Sequence, residues 1–232
     1  MMLKTQLLTL ETQSIELIKN SFIENFSIST TSFGLTSSVL IHLIYKTNLE
    51  IPIVFIDTGF HFDETIDYYK TIDSKYQKLD FIKISADMNT SKFLNKYGME
   101  IYNKDPNFCC NFNKVDPFNS YLENKRIRIW YAAVRKSQSL SRNSLNHQVE
   151  INEDLLKIHP LLLWTEKEII AYIGENSLPT HPLKSKGYGS IGCYPCTKIG
   201  KGRTGRWGKL EKTECGLHLK NSHHKYIKNV HR

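Results

Sequence analysis

Apolar positions recur at helical spacing across residues 8–26 (Ile15, Leu17, Ile18, Phe22, Ile23 and Phe26), which predicts an N-terminal helix. A run rich in β-branched residues follows at 27–33, then Gly34, then the helical pattern Val39, Leu40, His42, Leu43 and Ile44. That is strand, glycine turn, helix. Residues 51–56 make a short apolar strand closed by Asp57-Thr58-Gly59. Residues 63–76 read as a helix with Asp63 as its N-cap, 81–85 as a third strand and 90–97 as another helix. Strands alternating with helices imply βαβ units, hence an α/β fold with a mainly parallel twisted sheet and helices on both faces.

After Gly98 the alternation breaks into a polar loop holding Asp105-Pro106-Asn107-Phe108-Cys109-Cys110, with a helix starting near Lys114. Residues 126–134 read as a strand, with Arg135, Gln138, Ser139 and Arg142 just past its end. Residues 149–151 and 155–163 read as further strands, and Thr165-Glu166-Lys167-Glu168 as a capping box opening a helix to Glu175. Beyond Leu178, Pro179, Pro182, Gly187, Gly189, Gly192 and Pro195 make irregular chain. The expected organisation is an α/β domain over residues 1–192, including the Cys109-Cys110 loop, and an appended segment over 193–232 ending in a mobile tail.

A chain of 232 residues with 40% apolar and 23% charged side chains suits one soluble domain with an appendage. The longest apolar run is too short for a membrane span, and the N-terminus lacks the apolar segment of a signal peptide, so the expected location is the cytoplasm. Residues 1–192 carry 21 basic and 21 acidic side chains; residues 193–232 carry 10 and 2, so the whole net charge of +8 sits in the last forty residues. Such a tail fits either loose contact with nucleic acid or closure over a small polyanion.

The chain has five cysteines: Cys109, Cys110, Cys193, Cys196 and Cys215. In a cytosolic chain such a set points to metal binding or catalysis, not to disulfides. Cys109-Cys110 with Cys193-x-x-Cys196 supplies four thiolates, which suit tetrahedral zinc or an iron–sulfur cluster. Adjacent cysteines turn toward one ion awkwardly but can straddle two corners of a cubane, which favours a 4Fe–4S cluster. Cys215 is left over. Lys212, His218, Arg203 and Arg206 lie near it in sequence, and positive surroundings raise a thiol's thiolate fraction, so it reads as a nucleophile.

In open α/β sheets ligands bind beyond the carboxyl ends of the strands. There the stretch around Ser32, Gly34 and Thr36 supplies hydroxyls and a helix N-terminus for an anion or ribose phosphate. Asp57-Thr58-Gly59 and the loop after Val134 should join it. Phe33 and Thr36 replace the first glycine and the aspartate of the Ser-Gly-Gly-x-Asp-Ser loop that nucleotide-splitting enzymes of this layout use, so ATP hydrolysis is not expected.

Between Thr30 and His218 the chain resembles the assimilatory adenylyl-sulfate reductases, of the family that also holds the 3′-phosphoadenylyl-sulfate reductases. The weaker points of likeness are Thr31-Ser32-Phe33-Gly34, Asp57-Thr58-Gly59 with Glu64-Thr65, and Trp164-Thr165-Glu166. The specific ones are Cys109-Cys110 with Lys114-Val115-Asp116-Pro117, Arg135-x-x-Gln138-Ser139, Ser190-Ile191-Gly192-Cys193-x-x-Cys196, Gly205-Arg206-Trp207 and Glu214-Cys215-Gly216-Leu217-His218. The resemblance implies an adenine nucleotide α-hydrolase-like fold and attack by Cys215 on the sulfur of adenosine 5′-phosphosulfate (APS). AMP leaves, and thioredoxin or glutaredoxin releases sulfite from the S-sulfocysteine. It further implies that Lys114, Arg135, Arg203 and Arg206 neutralise the phosphosulfate, that Lys114 lies between cluster and substrate, that the cluster stays redox-inert, and that Ser32, Gly34 and Thr58 line the adenosine pocket.

Family members without the cysteine pairs generally use the 3′-phosphorylated substrate (PAPS), so this chain is expected to use APS, with PAPS as the alternative. The stretch Gly34-Leu35-Thr36-Ser37-Ser38 departs from the acidic version common in cluster-bearing members. Too few residues follow His218 for a thioredoxin-like domain, so an external reductant is expected. Monomer and homo-oligomer are both open. Two other classes compete: a tRNA-modifying enzyme of the PP-loop type, which would need the ATP loop this chain lacks, and a zinc-stabilised nucleic-acid binder, which would be colourless and strongly salt-sensitive.

Overall fold

A computed structural model describes residues 2–139, 142–207, 212, 214 and 216–218. Six strands form one sheet in the order β3-β2-β1-β4-β6-β5, with β1 at Ser27–Thr31, β2 at Ile53–Asp57, β3 at Phe81–Ser85, β4 at Ile129–Ala132, β5 at Gln148–Glu150 and β6 at Leu156–Ile158. β1 runs parallel to β2 and β4, and β4 parallel to β6; β5 is antiparallel to β6. The expected mainly parallel α/β sheet is present. Strand order grows outward from β1 through β2 to β3, then restarts on the other side of β1 with β4. The carboxyl ends of β1 and β4 therefore flank the point where the order reverses, which is where such sheets bind ligands.

By compactness the chain divides into two units, each assembled from three segments. The first comprises Met1–Phe55, Asp63–Ile82 and Ile127–Lys186; the second comprises Ile56–Phe62, Lys83–Arg126 and Gly187–Arg232. The described residues from Gly187 onward fall in the second unit, which also holds Cys109 and Cys110.

In the first unit, helices α1 (Met2–Ser21), α2 (Leu35–Thr47), α3 (Asp63–Lys75) and α8 (Glu166–Glu175) share one core with the strands. Leu43, Phe55, Tyr131, Ile158, Trp164 and Tyr172 are among its fully buried members. The capping box read from sequence forms: Thr165 Oγ1 accepts from the Glu168 backbone N–H at 3.3 Å, and the Thr165 N–H donates to Glu168 Oε2 at 2.6 Å.

The second unit has an aromatic core in which Phe60 and Phe93 are buried and Tyr97, Tyr102, Phe108 and Phe112 pack against them. The polar loop expected before Cys110 is helical instead. α4 (Thr90–Tyr97) is followed by α5 (Ile101–Lys104) and α6 (Pro106–Cys110), then a π-helical turn (Asn111–Val115) and α7 (Asp116–Asn124). The signal was local: Asp105 caps α6 by accepting from the Phe108 N–H at 2.8 Å, and Pro106 takes the first turn, where its missing N–H costs nothing. The strand expected over 155–163 stops at Ile158, because Pro160 cannot donate to a ladder and residues 159–164 close into turns. Among the described residues no helix is long and apolar enough to cross a membrane.

Candidate functional site

In the first unit the functional side chains gather at the start of α2 and beyond β4. Gly34 is the N-cap of α2 and offers no side-chain bond, so no cap side chain competes for the first-turn N–H donors. Ser32 is exposed beside it. Phe33 holds a left-handed φ of 56°, costly for a side chain of this size. Its ring is buried against Phe55 at 5.0 Å and Tyr68 at 5.9 Å, which secures that strained turn.

Arg135, 7% exposed, reaches back to this turn. Its Nε donates to Thr36 Oγ1 at 3.2 Å and its Nη1 to Ser137 Oγ at 2.8 Å. Gln138 locks the arrangement: its Oε1 accepts from the Arg135 backbone N–H at 3.0 Å and from Arg142 Nη1, while its Nε2 donates to Thr36 Oγ1 at 3.4 Å. Burial pulls the Arg135 pKa down and the Arg142 charge adds to this, with Glu166 opposing. An arginine nonetheless stays protonated. A fixed cation beside a helix N-terminus is an arrangement for binding an anion. Sequence reading placed Arg135, Ser32 and Gly34 here. Thr36 was part of the expected hydroxyl-bearing stretch, whereas Arg142 was noted only as lying past the strand end.

In the second unit Cys109, Cys110, Cys193 and Cys196 line one cavity together with Lys114 and Thr58. None of the four forms a disulfide among the described residues. Burial pushes the Cys109 thiol up to about 12, followed by the influence of Cys110, Cys193 and Cys196, with the Asn113 hydrogen bond opposing. Burial likewise raises Cys196 to about 11, followed by Cys193 and Cys110, while Arg206 and Lys114 pull it down. Metal binding would displace the protons of thiols held up in this way.

Among the described residues no three His, Cys, Asp or Glu side chains meet closely enough to hold a single metal ion. The thiols instead stand on the walls of a shared space. Among the contacts to these sulfurs, Thr58 Oγ1 lies 3.2 Å from Cys193 Sγ, and Asn113 Nδ2 lies 3.7 Å from Cys109 Sγ. Thr58, expected at the adenosine, therefore stands among the cysteines. The donor set fits an iron–sulfur cluster, whose cysteines sit at separate corners and commonly receive hydrogen bonds.

Arg203 and Arg206 belong to the same unit. Arg203 Nη2 stands 3.1 Å from Glu214 Oε2. Arg206 lies over the Trp207 ring at 4.5 Å and donates from Nη1 to the Ile191 carbonyl at 3.3 Å. Its guanidinium crosses Gly192 so closely that a Cβ there would lie 2.3 Å from Nη2, which explains the glycine. The buried Nε of Arg206 has no hydrogen-bond partner among the described residues. Lys212 Nζ donates to the Pro106 carbonyl at 3.1 Å and to Asn107 Oδ1 at 2.8 Å. Gly216 packs on the π-helical turn, where a Cβ would come within 2.7 Å of Val115 Cγ2. Cys215, the expected nucleophile, lies outside the described residues. Asn113 and Glu214 were not singled out from sequence.

A six-stranded, mainly parallel sheet whose strand order reverses at β1 and β4 defines a doubly wound α/β protein, and four cysteines line one cavity of its second unit. The model of the phosphoadenosine phosphosulfate reductase domain matches residues 27–199, and the chain belongs to that family. It is 38% identical over 195 residues to an adenosine 5′-phosphosulfate reductase of Bacillus cytotoxicus, covering 81% of each chain. It is 35% identical over 215 residues to a protein of the same name from Lysinibacillus sphaericus, covering 88% of this chain and 90% of that one. Among solved structures it is similar to a phosphoadenylyl-sulfate (PAPS) reductase from Candida auris in a phosphate complex, with TM-score 0.69, 29% identity, and coverage of 80% and 90%.

Proposed function

We propose that the protein reduces adenosine 5′-phosphosulfate to sulfite and AMP, with Cys215 as nucleophile. The observation that carries this is the meeting of both cysteine pairs and Lys114 at one cavity in a chain of this family. The relatives named adenosine 5′-phosphosulfate reductase align over most of their length and support the choice of substrate.

In the proposed reaction the Cys215 thiolate attacks the sulfur of the substrate's sulfo group. The new S–S bond forms as the S–O bond to the phosphate breaks, and AMP leaves with that electron pair. A thiolate of an external dithiol reductant, thioredoxin or glutaredoxin, then attacks Cys215 Sγ. Sulfite departs with the S–S electron pair, and the second reductant thiol resolves the mixed disulfide, regenerating Cys215 and leaving the reductant oxidised by two electrons.

Nucleophile and substrate are both anions, so the barrier depends on cations placed before the reaction begins. Arg135 and the N-terminus of α2 serve the nucleotide's phosphate. Lys114, Arg203 and Arg206 serve the phosphosulfate bridge, and drawing Arg203 to the substrate loosens its pair with Glu214. The four cysteines would hold a 4Fe–4S cluster, whose thiolate-rich charge Lys114, on the same cavity, would help to balance. Thr36 and Ser37, neutral hydroxyls at the loop, place no carboxylate against a 3′-phosphate, which favours slower use of PAPS as a second reading. Both are tested by supplying each nucleotide with thioredoxin and measuring sulfite. Sulfite from APS at the higher kcat/KM supports the first; none from APS excludes it.

A further inference from the structure

Asn113 is 4% exposed on the π-helical turn Asn111–Val115. In a regular α-helix the backbone N–H of residue 113 donates to the carbonyl of residue 109. A π turn shifts the backbone bonds one residue further back, as the Asp116 N–H does in donating to the Asn111 carbonyl. Here the Cys109 carbonyl receives the Asn113 side-chain amide, with Nδ2 at 3.0 Å. The same nitrogen stands 3.7 Å from Cys109 Sγ, in range for an acceptor as large as sulfur. A primary amide carries two N–H groups, so one nitrogen can serve both acceptors. Together they tie the Cys109 side chain to the turn that also carries Lys114.

We propose that Asn113 is a positioning residue for the iron–sulfur site, whose amide hydrogen-bonds the Cys109 sulfur as a thiolate ligand. This rests on the cluster reading above. Cys109 is the cysteine that most needs such a donor, being buried where the other three are half-exposed. Water cannot readily solvate its negative charge, and an N–H donor replaces part of that solvation. On the other cysteine pair, Thr58 Oγ1 at 3.2 Å from Cys193 Sγ has the same relation to its sulfur. On each pair a sulfur thus stands at hydrogen-bond distance from a protein group, and Lys114 lines the same cavity. A donor on a ligand sulfur draws electron density from the Fe–S bond, weakening its covalency and slowing loss of the thiolate to protonation.

The test compares anaerobically purified holoprotein with Asn113→Leu and with Asn113→Asp, which keeps the shape but loses the donor. Iron per chain, resonance Raman spectra and the rate of iron loss to a chelator are read for each, with circular dichroism as the control for folding. Fe–S(Cys) stretching bands that move to higher frequency, with iron lost about tenfold faster, support the proposal. Bands and chelation rates that match wild type overturn it while leaving the cluster reading intact, even if the melting temperature falls. Wild-type protein without iron overturns both.

Discussion

Arg203 Nη2 and Glu214 Oε2 stand 3.1 Å apart, with the Glu214 side chain 5% exposed and the Arg203 side chain 24% exposed. The pair fixes the residue immediately before Cys215. An arginine expected only at the substrate therefore has a resting partner. Removing one member of a largely buried pair leaves an uncompensated charge, so Arg203→Ala should cost about 2 kcal/mol of stability as well as substrate affinity. Arg203→Ala with Glu214→Ala should recover most of that stability but not the affinity. Thermal melts around this double-mutant cycle check it; equal stability of Arg203→Ala and wild type would show that the pair contributes nothing.

Gly216, on the other side of Cys215, has no room for a methyl group against Val115 Cγ2. Gly216→Ala should slow sulfonation of Cys215 about tenfold or more, since displacements near 1 Å at a reacting group cost rates of that order. Iron content should stay unchanged. Adding Val115→Ala should restore part of the rate. Single-turnover measurements with APS decide this, and a Gly216→Ala rate equal to wild type would mean the contact has no bearing on the nucleophile.

Thr165 and Glu168 bond reciprocally at the start of α8. Thr165→Ala should lower stability by about 1 kcal/mol, the usual value of an N-cap, with kcat and KM unchanged at a temperature where the protein stays folded. Denaturant titration gives the stability.

His159 is buried, and its Nδ1 is 3.0 Å from the Asn146 carbonyl. Burial lowers its pKa from 6.5 to about 4; the Asn146 bond opposes this, and Lys157, Arg142 and His147 add to it. The folded state therefore resists a proton that the unfolded chain accepts below 6.5. Stability should fall as pH drops from 6.5 toward 4, by about 3 kcal/mol if the full difference is expressed. His159→Gln should flatten that part of the stability profile. An unchanged profile would remove His159 as its cause.

The sheet was legible because β1, β2 and β3 are short apolar or β-branched runs bounded by turn residues, and Thr165-x-x-Glu168 announced a helix start. Residues 101–110 were misread because their polar composition hid a cap, Asp105, and a proline at the first turn. The four cysteines could be grouped by spacing alone. Asn113 could not be found that way: its role depends on a π turn, a backbone register that no hydrophobic period announces. Glu214 was equally hidden, since its partner lies eleven residues away across irregular chain. Thr58 was expected at the nucleotide from the resemblance, and its contact with the Cys193 sulfur, across 135 residues of chain, was not legible in the sequence.

The division of labour among the five cysteines can be read in one experiment. Holoprotein is mixed with APS in the absence of reductant, digested, and the cysteine peptides are weighed by mass spectrometry, with Cys215→Ser and Cys109→Ser alongside. One added sulfo group on the peptide holding Cys215 in the wild type, none in iron-replete Cys215→Ser, and loss of iron with a free Cys215 in Cys109→Ser are the predicted results. A sulfo group on any other cysteine, or an unmodified Cys215 in iron-replete protein with substrate bound, would contradict the account.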